Sequence, residues 1–202
     1  MVAQTYGLWT YLLLFFIIFC ETGFVVTPFL PGDSLLFVSG AAAANGILNV
    51  ELLIAVYILG AVLGDTVNYL LGNYLGLRVF QAKFPTIIKQ EYIDKTYRFY
   101  TKYGGLTIFV ARFVPMIRTF APFLAGVGSM KYRRFLAFNI LGAVTWTLSL
   151  VLAGYFMGEL PIVQANMSLL ILLVILMTIV TVAFILVSIV LACRRKVPEE
   201  KE

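Results

Sequence analysis

Five ionisable side chains stand in stretches that are otherwise apolar: Glu21, Asp33, Asp65, Arg112 and Arg118. A charge in a bilayer core is costly and is a functional candidate by default. Two guanidiniums can grip a phosphate through paired, planar donors. Carboxyls beside them can take up and release a proton, because burial and a neighbouring arginine pull a carboxyl's proton affinity in opposite directions. Arg112 and Arg118 are therefore the substrate-binding candidates, and Glu21 and Asp33 the proton-coupling candidates. Asp65 and Asn68 are accessory candidates. The competing assignment is structural, with the same acids and arginines as mutual ion pairs that only hold two loops together.

Other chemistry is thinly represented. The chain has no histidine, which removes His bases, nucleophiles and ligands, and with them a Ser–His rhomboid protease or a histidine-type lipid phosphatase. An intramembrane aspartyl protease would need Gly-x-Gly-Asp, whereas the stretch here is Val62-Leu63-Gly64-Asp65 and Asp33 is expected in a loop. Cys20 and Cys193 form no CxxC pair, so neither a disulfide framework nor a metal site is expected. The expectation is a non-enzyme without cofactor, with protons as the one coupling species.

The elements that must carry these residues belong in a membrane. Of 202 residues, 61% are apolar and 12% charged, against about a quarter charged in a soluble domain. Met167–Ala192 holds no charge over 26 residues, about 39 Å of helix and enough to cross a bilayer. Spanning helices are also expected over 50–76 and 133–158. Two further apolar stretches, 8–46 and 104–130, are broken near their charges: by Pro28, Pro31 and Gly32 in the first, by Pro115 and Pro122 in the second. Proline frees backbone groups that lipid cannot satisfy, so both are read as re-entrant hairpins. No basic stretch precedes Leu8 and no small-residue cleavage site follows it, so a signal peptide is not expected.

The hairpin-plus-helix unit occurs twice. Residues 58–76 and 140–158 align without a gap, eight of 19 positions being identical, with Gly60, Gly72 and Gly76 falling on Gly142, Gly154 and Gly158. Gly60, Gly64, Asn68, Gly72 and Gly76 follow one another every four residues, a small-residue stripe for close helix packing within the chain or against a second copy. Because one spanning helix separates the hairpins, the second must enter from the opposite side. The expected fold is an all-α integral membrane protein of one domain, an inverted repeat (8–76 and 104–158) with an additional C-terminal transmembrane helix. The first 77 residues carry no Lys or Arg. Basic residues gather at 78–102, 131–134 and 194–201, which places the connector 77–103 and the C-terminus in the cytoplasm. The N-terminus is then outside, or inside if 8–26 crosses and 34–46 does not return. This positive-inside pattern accounts for the basic charge without nucleic acid. Ile88, Tyr92, Phe99 and Tyr103 recur at helical spacing, as in an interfacial helix or an ordinary amphipathic connector.

Several runs together resemble the bacterial DedA family, also called SNARE-associated or VTT-domain proteins. They are Phe19 to Ser34, Gly64-Asp65-Thr66-Val67-Asn68-Tyr69, and Ala111 to Gly126, followed by Asn139, Gly142 and Trp146. The resemblance covers about residues 8 to 165. It implies a bacterial cytoplasmic-membrane protein that moves lipids with phosphate headgroups between leaflets, a polyprenyl phosphate or phosphatidylethanolamine, with a link to proton motive force. It also implies that the acids at Glu21 and Asp33 and the arginines at Arg112 and Arg118 form the functional set. A transporter of a small solute and a structural assembly factor remain the alternatives.

Overall fold

The structure, a computed structural model, describes residues 2–23, 32–83, 103–166, and Leu169, Leu172, Leu176 and Ile179. The helices are α1 (Val2–Gly23), α2 (Gly32–Ala44), α3 (Val50–Lys83), α4 (Gly105–Ala111), α5 (Pro115–Val127), α6 (Tyr132–Gly158) and α7 (Pro161–Ala165). Among the described residues, two stretches, Val50–Tyr74 and Tyr132–Gly158, are long and apolar enough to cross a bilayer. At 1.5 Å per residue, α2 and α5 are only about 20 Å long and α4 about 10 Å, short of a hydrocarbon core of about 30 Å.

Burial follows helical spacing. On α1, Tyr11, Leu14, Ile18, Glu21 and Thr22 turn inward, while Leu8, Trp9, Leu12, Leu13 and Phe16 stay exposed. Leu59, Leu63 and Leu70 of α3 and Ile140 and Leu141 of α6 are exposed likewise. An apolar exterior of this extent is the surface of a protein solvated by lipid.

The contacts give each helix a direction. Along α1 and α3, Tyr11 Oη accepts from the Asn49 amide, Gly60 meets Phe15, and Gly64 meets Gly23. The two therefore run parallel, and α1 ends beside the middle of α3. Along α4 and α6, Gly105 meets the Phe138 ring and Gly142 meets Phe109 and Arg112, again in parallel. Helices α3 and α6 are antiparallel, since Asn139 Nδ2 donates to the Val62 carbonyl at 3.2 Å while Tyr69 stacks on Phe135.

The returning helices exchange partners. A Cβ on Gly40 (α2) would strike the Val151 carbonyl of α6, and one on Gly154 (α6) the Phe37 carbonyl of α2. The same pair of contacts recurs between Gly126 (α5) and Tyr69 of α3, and between Gly72 (α3) and Phe123 of α5. Gly158 packs on Ala41 in the same interface as Gly154. So α2 lies along α6, and α5 along α3. Of the glycine stripe, Gly60 and Gly64 face α1, and Gly72 faces α5. Gly46, at φ +72°, turns the chain from α2 into α3, a left-handed conformation that glycine adopts without steric cost.

Three expectations need correction. Helix α3 does not stop at Gly76 but continues to Lys83, because one glycine costs a helix interior only about 1 kcal/mol. Pro122 does not break the second hairpin; it is buried inside α5. It removes one backbone donor, the one that would reach the Arg118 carbonyl, and the helix continues through it. Asp33 is not in a loop but in the first turn of α2. By contrast, Pro115 does stand at a break, opening α5, where its missing N–H would be unpaired anyway. Pro28, Pro31, the connector from 84 to 102 and most of the expected helix 167–192 lie outside the described residues. The surroundings of Gly76 do so too.

Candidate functional site

The ends of α1 and α4 and the starts of α2 and α5 lie midway along α3 and α6 and deliver charge there. Glu21 and Thr22 come from the last turn of α1, and Asp33 from the first turn of α2. Arg112 follows the last residue of α4 as its C-cap, and Arg118 lies in the first turn of α5. Helix α3 contributes Asp65 and Asn68; helix α6 contributes Asn139 and Trp146.

Arg118 is shared by both acids of the first hairpin. Its Nη2 donates to Glu21 Oε1, and its Nη1 donates to Asp33 Oδ1 at 2.6 Å. Trp146 Nε1 donates to that same Asp33 oxygen at 2.9 Å. Arg112 turns the other way: its Nη2 donates to Asp65 Oδ2 and, at 2.6 Å, to Asn139 Oδ1. The Asn139 bond to the Val62 carbonyl fixes which end of the amide faces the arginine. The Trp146 ring lies against both guanidiniums, 5.1 Å from Arg118 and 5.9 Å from Arg112, within cation–π range. Asn68 Nδ2 donates to the Thr119 carbonyl at 2.7 Å and the Thr22 carbonyl at 3.1 Å, tying one hairpin to the other across α3.

Access is unequal. Glu21 is fully buried, and Asp65, Arg112 and Arg118 nearly so, while the Asp33 side chain is 41% exposed. Between the two arginines is a cavity of about 10 Å³ lined by Thr22, Asp65, Arg112, Arg118 and Trp146. That is the size of one water. Among the described residues, Glu21 Oε2, Arg118 Nε, Asn68 Oδ1 and Thr147 Oγ1 are buried without a hydrogen-bond partner. Gly32 admits the Glu21 carboxylate, since a Cβ there would collide with it. A larger apolar groove of about 380 Å³ lies on the flank of the second hairpin, lined by residues including Val110, Val114 and Ile117.

The expected meeting of acids from one hairpin with arginines from the other is present at Arg118. Arg112, however, pairs with Asp65 of α3, ranked below the hairpin charges in the sequence. Asn139 and Trp146 join the cluster, although their residue types alone did not single them out as site groups. An amide in a spanning helix was the available signal for Asn139; Thr22 carried none.

The match to a model of the VTT domain runs over residues 30–156. Protein DedA of Escherichia coli (strain K12) is 52% identical over 176 residues, covering 86% of this chain and 80% of that protein. An uncharacterized membrane protein of Mycobacterium tuberculosis (strain H37Rv) is 39% identical over 185 residues, 91% of this chain and 81% of its own length. The inner membrane protein YqjA of Escherichia coli (strain K12) is 32% identical over 152 residues, 75% of this chain and 69% of its own. No solved structure matches.

Proposed function

This chain belongs to the DedA family of VTT-domain membrane proteins, and from that premise we propose that it is a non-enzymatic translocase for lipids with a phosphate headgroup, such as phosphatidylethanolamine or a polyprenyl phosphate. It works in the bacterial cytoplasmic membrane with its C-terminus in the cytoplasm. The observation that carries this reading is Arg118, held midway along two membrane-length helices by two carboxylates from the opposite hairpin. An anion that reached the guanidinium would compete with those carboxylates, and a proton taken up by Glu21 or Asp33 would tip the competition. The helix directions support reading the hairpins as re-entrant loops of an inverted repeat, entering from opposite faces and meeting at the midplane.

The first alternative is a proton-coupled transporter of a small solute or ion, which needs a wet chamber. The cavity at the cluster has room for about one water, and the larger groove on the flank of the second hairpin is lined mainly by apolar side chains. Both favour a lipid whose chains stay in hydrocarbon. The second alternative is a structural factor whose ion pairs only hold the fold. In that case a well-folded double variant that removes the charges of Arg112 and Asp65 together, an ion pair in the same cluster, would preserve function.

The test is headgroup flipping in proteoliposomes, comparing wild type with Arg118→Lys at equal incorporation. Lysine keeps the charge but loses the fork that spans two acceptors, so flipping should fall by about tenfold or more. Wild-type protein that moves neither lipid, with or without a pH gradient, overturns the reading. Topology has its own test: Asn45→Cys in a cysteine-free background should react with impermeant maleimide in intact cells, and Arg133→Cys only after permeabilisation.

A further inference from the structure

We propose that Arg118 Nη1 and Trp146 Nε1 form a two-donor anion subsite, that Asp33 fills it as an internal stand-in, and that a lipid phosphate enters by displacing Asp33. This rests on the lipid-translocase reading and adds to it a named subsite with a residue, Trp146, that binds the headgroup.

Two donors from different helices converge on one oxygen. Arg118 and Trp146 approach Asp33 Oδ1 at 2.6 and 2.9 Å. A phosphate oxygen is an acceptor of the same charge sign and suits the same pair. The fork is rigid. The other arm of Arg118 is held by fully buried Glu21, and the indole lies over the guanidinium. The occupant is the least enclosed part. Asp33 is the charged member with the most exposed side chain, so it can swing out of the fork without displacing packed neighbours. The buried carboxylates Glu21 and Asp65 cannot.

Charge favours displacement. The cluster holds three carboxylates and two guanidiniums. With all five ionised, a phosphate added on top would meet an excess of negative charge already in place; replacing Asp33 avoids that. A buried indole N–H also needs an acceptor at every stage. Trp146 therefore passes from one anion to the next rather than being left unpaired.

The test uses the full chain in neutral detergent micelles, with Trp9→Phe so that Trp146 supplies the single indole signal. The ¹⁵N–¹H indole resonance is followed during titration with short-chain phosphatidic acid, inorganic phosphate and the matching diacylglycerol. Phosphatidic acid should shift the resonance saturably, and diacylglycerol should not. Asp33→Asn, which leaves only a neutral and weaker acceptor in the fork, should bind phosphatidic acid about tenfold more tightly. Adding Trp146→Phe, with binding now followed by the phosphorus resonance of the lipid because no indole remains, should reverse that gain while keeping a ring over Arg118. If the phenylalanine variant fails to fold, the indole shift in Asp33→Asn decides alone. No shift at saturating phosphatidic acid, or weaker binding by Asp33→Asn, overturns the subsite. Wild-type flipping with a silent indole would leave the translocase standing and remove only the fork. Equal shifts from inorganic phosphate and phosphatidic acid would keep the fork and overturn its assignment to lipid.

Discussion

Arg112→Met should strand Asp65. Both side chains are almost fully buried, and Arg112 is the direct ion-pair partner of Asp65. Removing one member of a buried pair costs about 3–5 kcal/mol, because the other is left charged in low dielectric. Arg118 lines the same one-water cavity as Asp65 and offsets part of this. The expectation is therefore the lower end, about 3 kcal/mol. Asp65→Asn should cost less, about 2 kcal/mol, because the guanidinium keeps its bond to Asn139 and an amide oxygen still accepts. The double variant removes both charges and should lie within about 1–2 kcal/mol of wild type, since apolar or neutral replacement of a buried pair is often nearly neutral. The coupling between the sites is then about 3 kcal/mol. The assay is reversible unfolding by denaturing detergent in mixed micelles, run as a double-mutant cycle. Additivity within about 0.5 kcal/mol would refute the reasoning, because it would mean that each charge is separately hydrated and no dry pair exists. Flipping by the double variant then separates the roles of the pair. A stable double variant that still flips makes Arg112 a structural counter-ion; a stable one that does not gives Arg112 a part in transport.

Two other changes test the packing. Gly40→Ala places a methyl on the Val151 carbonyl and should destabilise by about 1–3 kcal/mol, as overpacking does. Gly7→Ala, with nothing within 4 Å, should be neutral or stabilising by up to about 1 kcal/mol in the same unfolding assay. Asn68→Ala leaves the Thr22 and Thr119 carbonyls without that donor and should cost about 1–3 kcal/mol. Asn68→Asp should be worse, because an acceptor would face two acceptors; equal thermal stability of the two variants would refute the geometry of this tie.

Composition and short-range pattern make some features legible in the order of residues alone. Lipid solvation follows from the apolar share of the chain. The helices expected over 50–76 and 133–158 appear as α3, longer at its C-terminal end by seven residues, and α6, longer at its start by one, because a long, mainly apolar run leaves the backbone no other way to satisfy itself in hydrocarbon. The break at Pro115 was legible because proline's lost N–H is a local fact. Pro122 was not, since the same local fact leaves open whether the helix carries on past the carbonyl it strands, and packing against α3 decides that.

Charge placement shows the same division. That acids lie in the first hairpin and arginines in the second is written in the chain, and their burial follows from the apolar stretches around them. Which acid meets which arginine is not. Glu21 and Arg118 are 97 residues apart and Asp65 and Arg112 are 47 apart. Each pairing depends on helix direction and on rotation about the helix axis, where one residue turns a side chain by about 100°. The parallel course of α1 with α3 and of α4 with α6 brings the ends of α1 and α4 to mid-helix. The rotation of α3 then turns Asp65 toward Arg112, and that of α6 sets Trp146 between the two guanidiniums. Residue type and spacing alone determined that this protein lives in lipid and carries opposed charges at two breaks. The partner of each charge was decided only by the packing of four glycine contacts and two asparagine ties, which act between residues far apart in sequence; the stripe at 60–76 marks a face for close packing but not the helix that covers it.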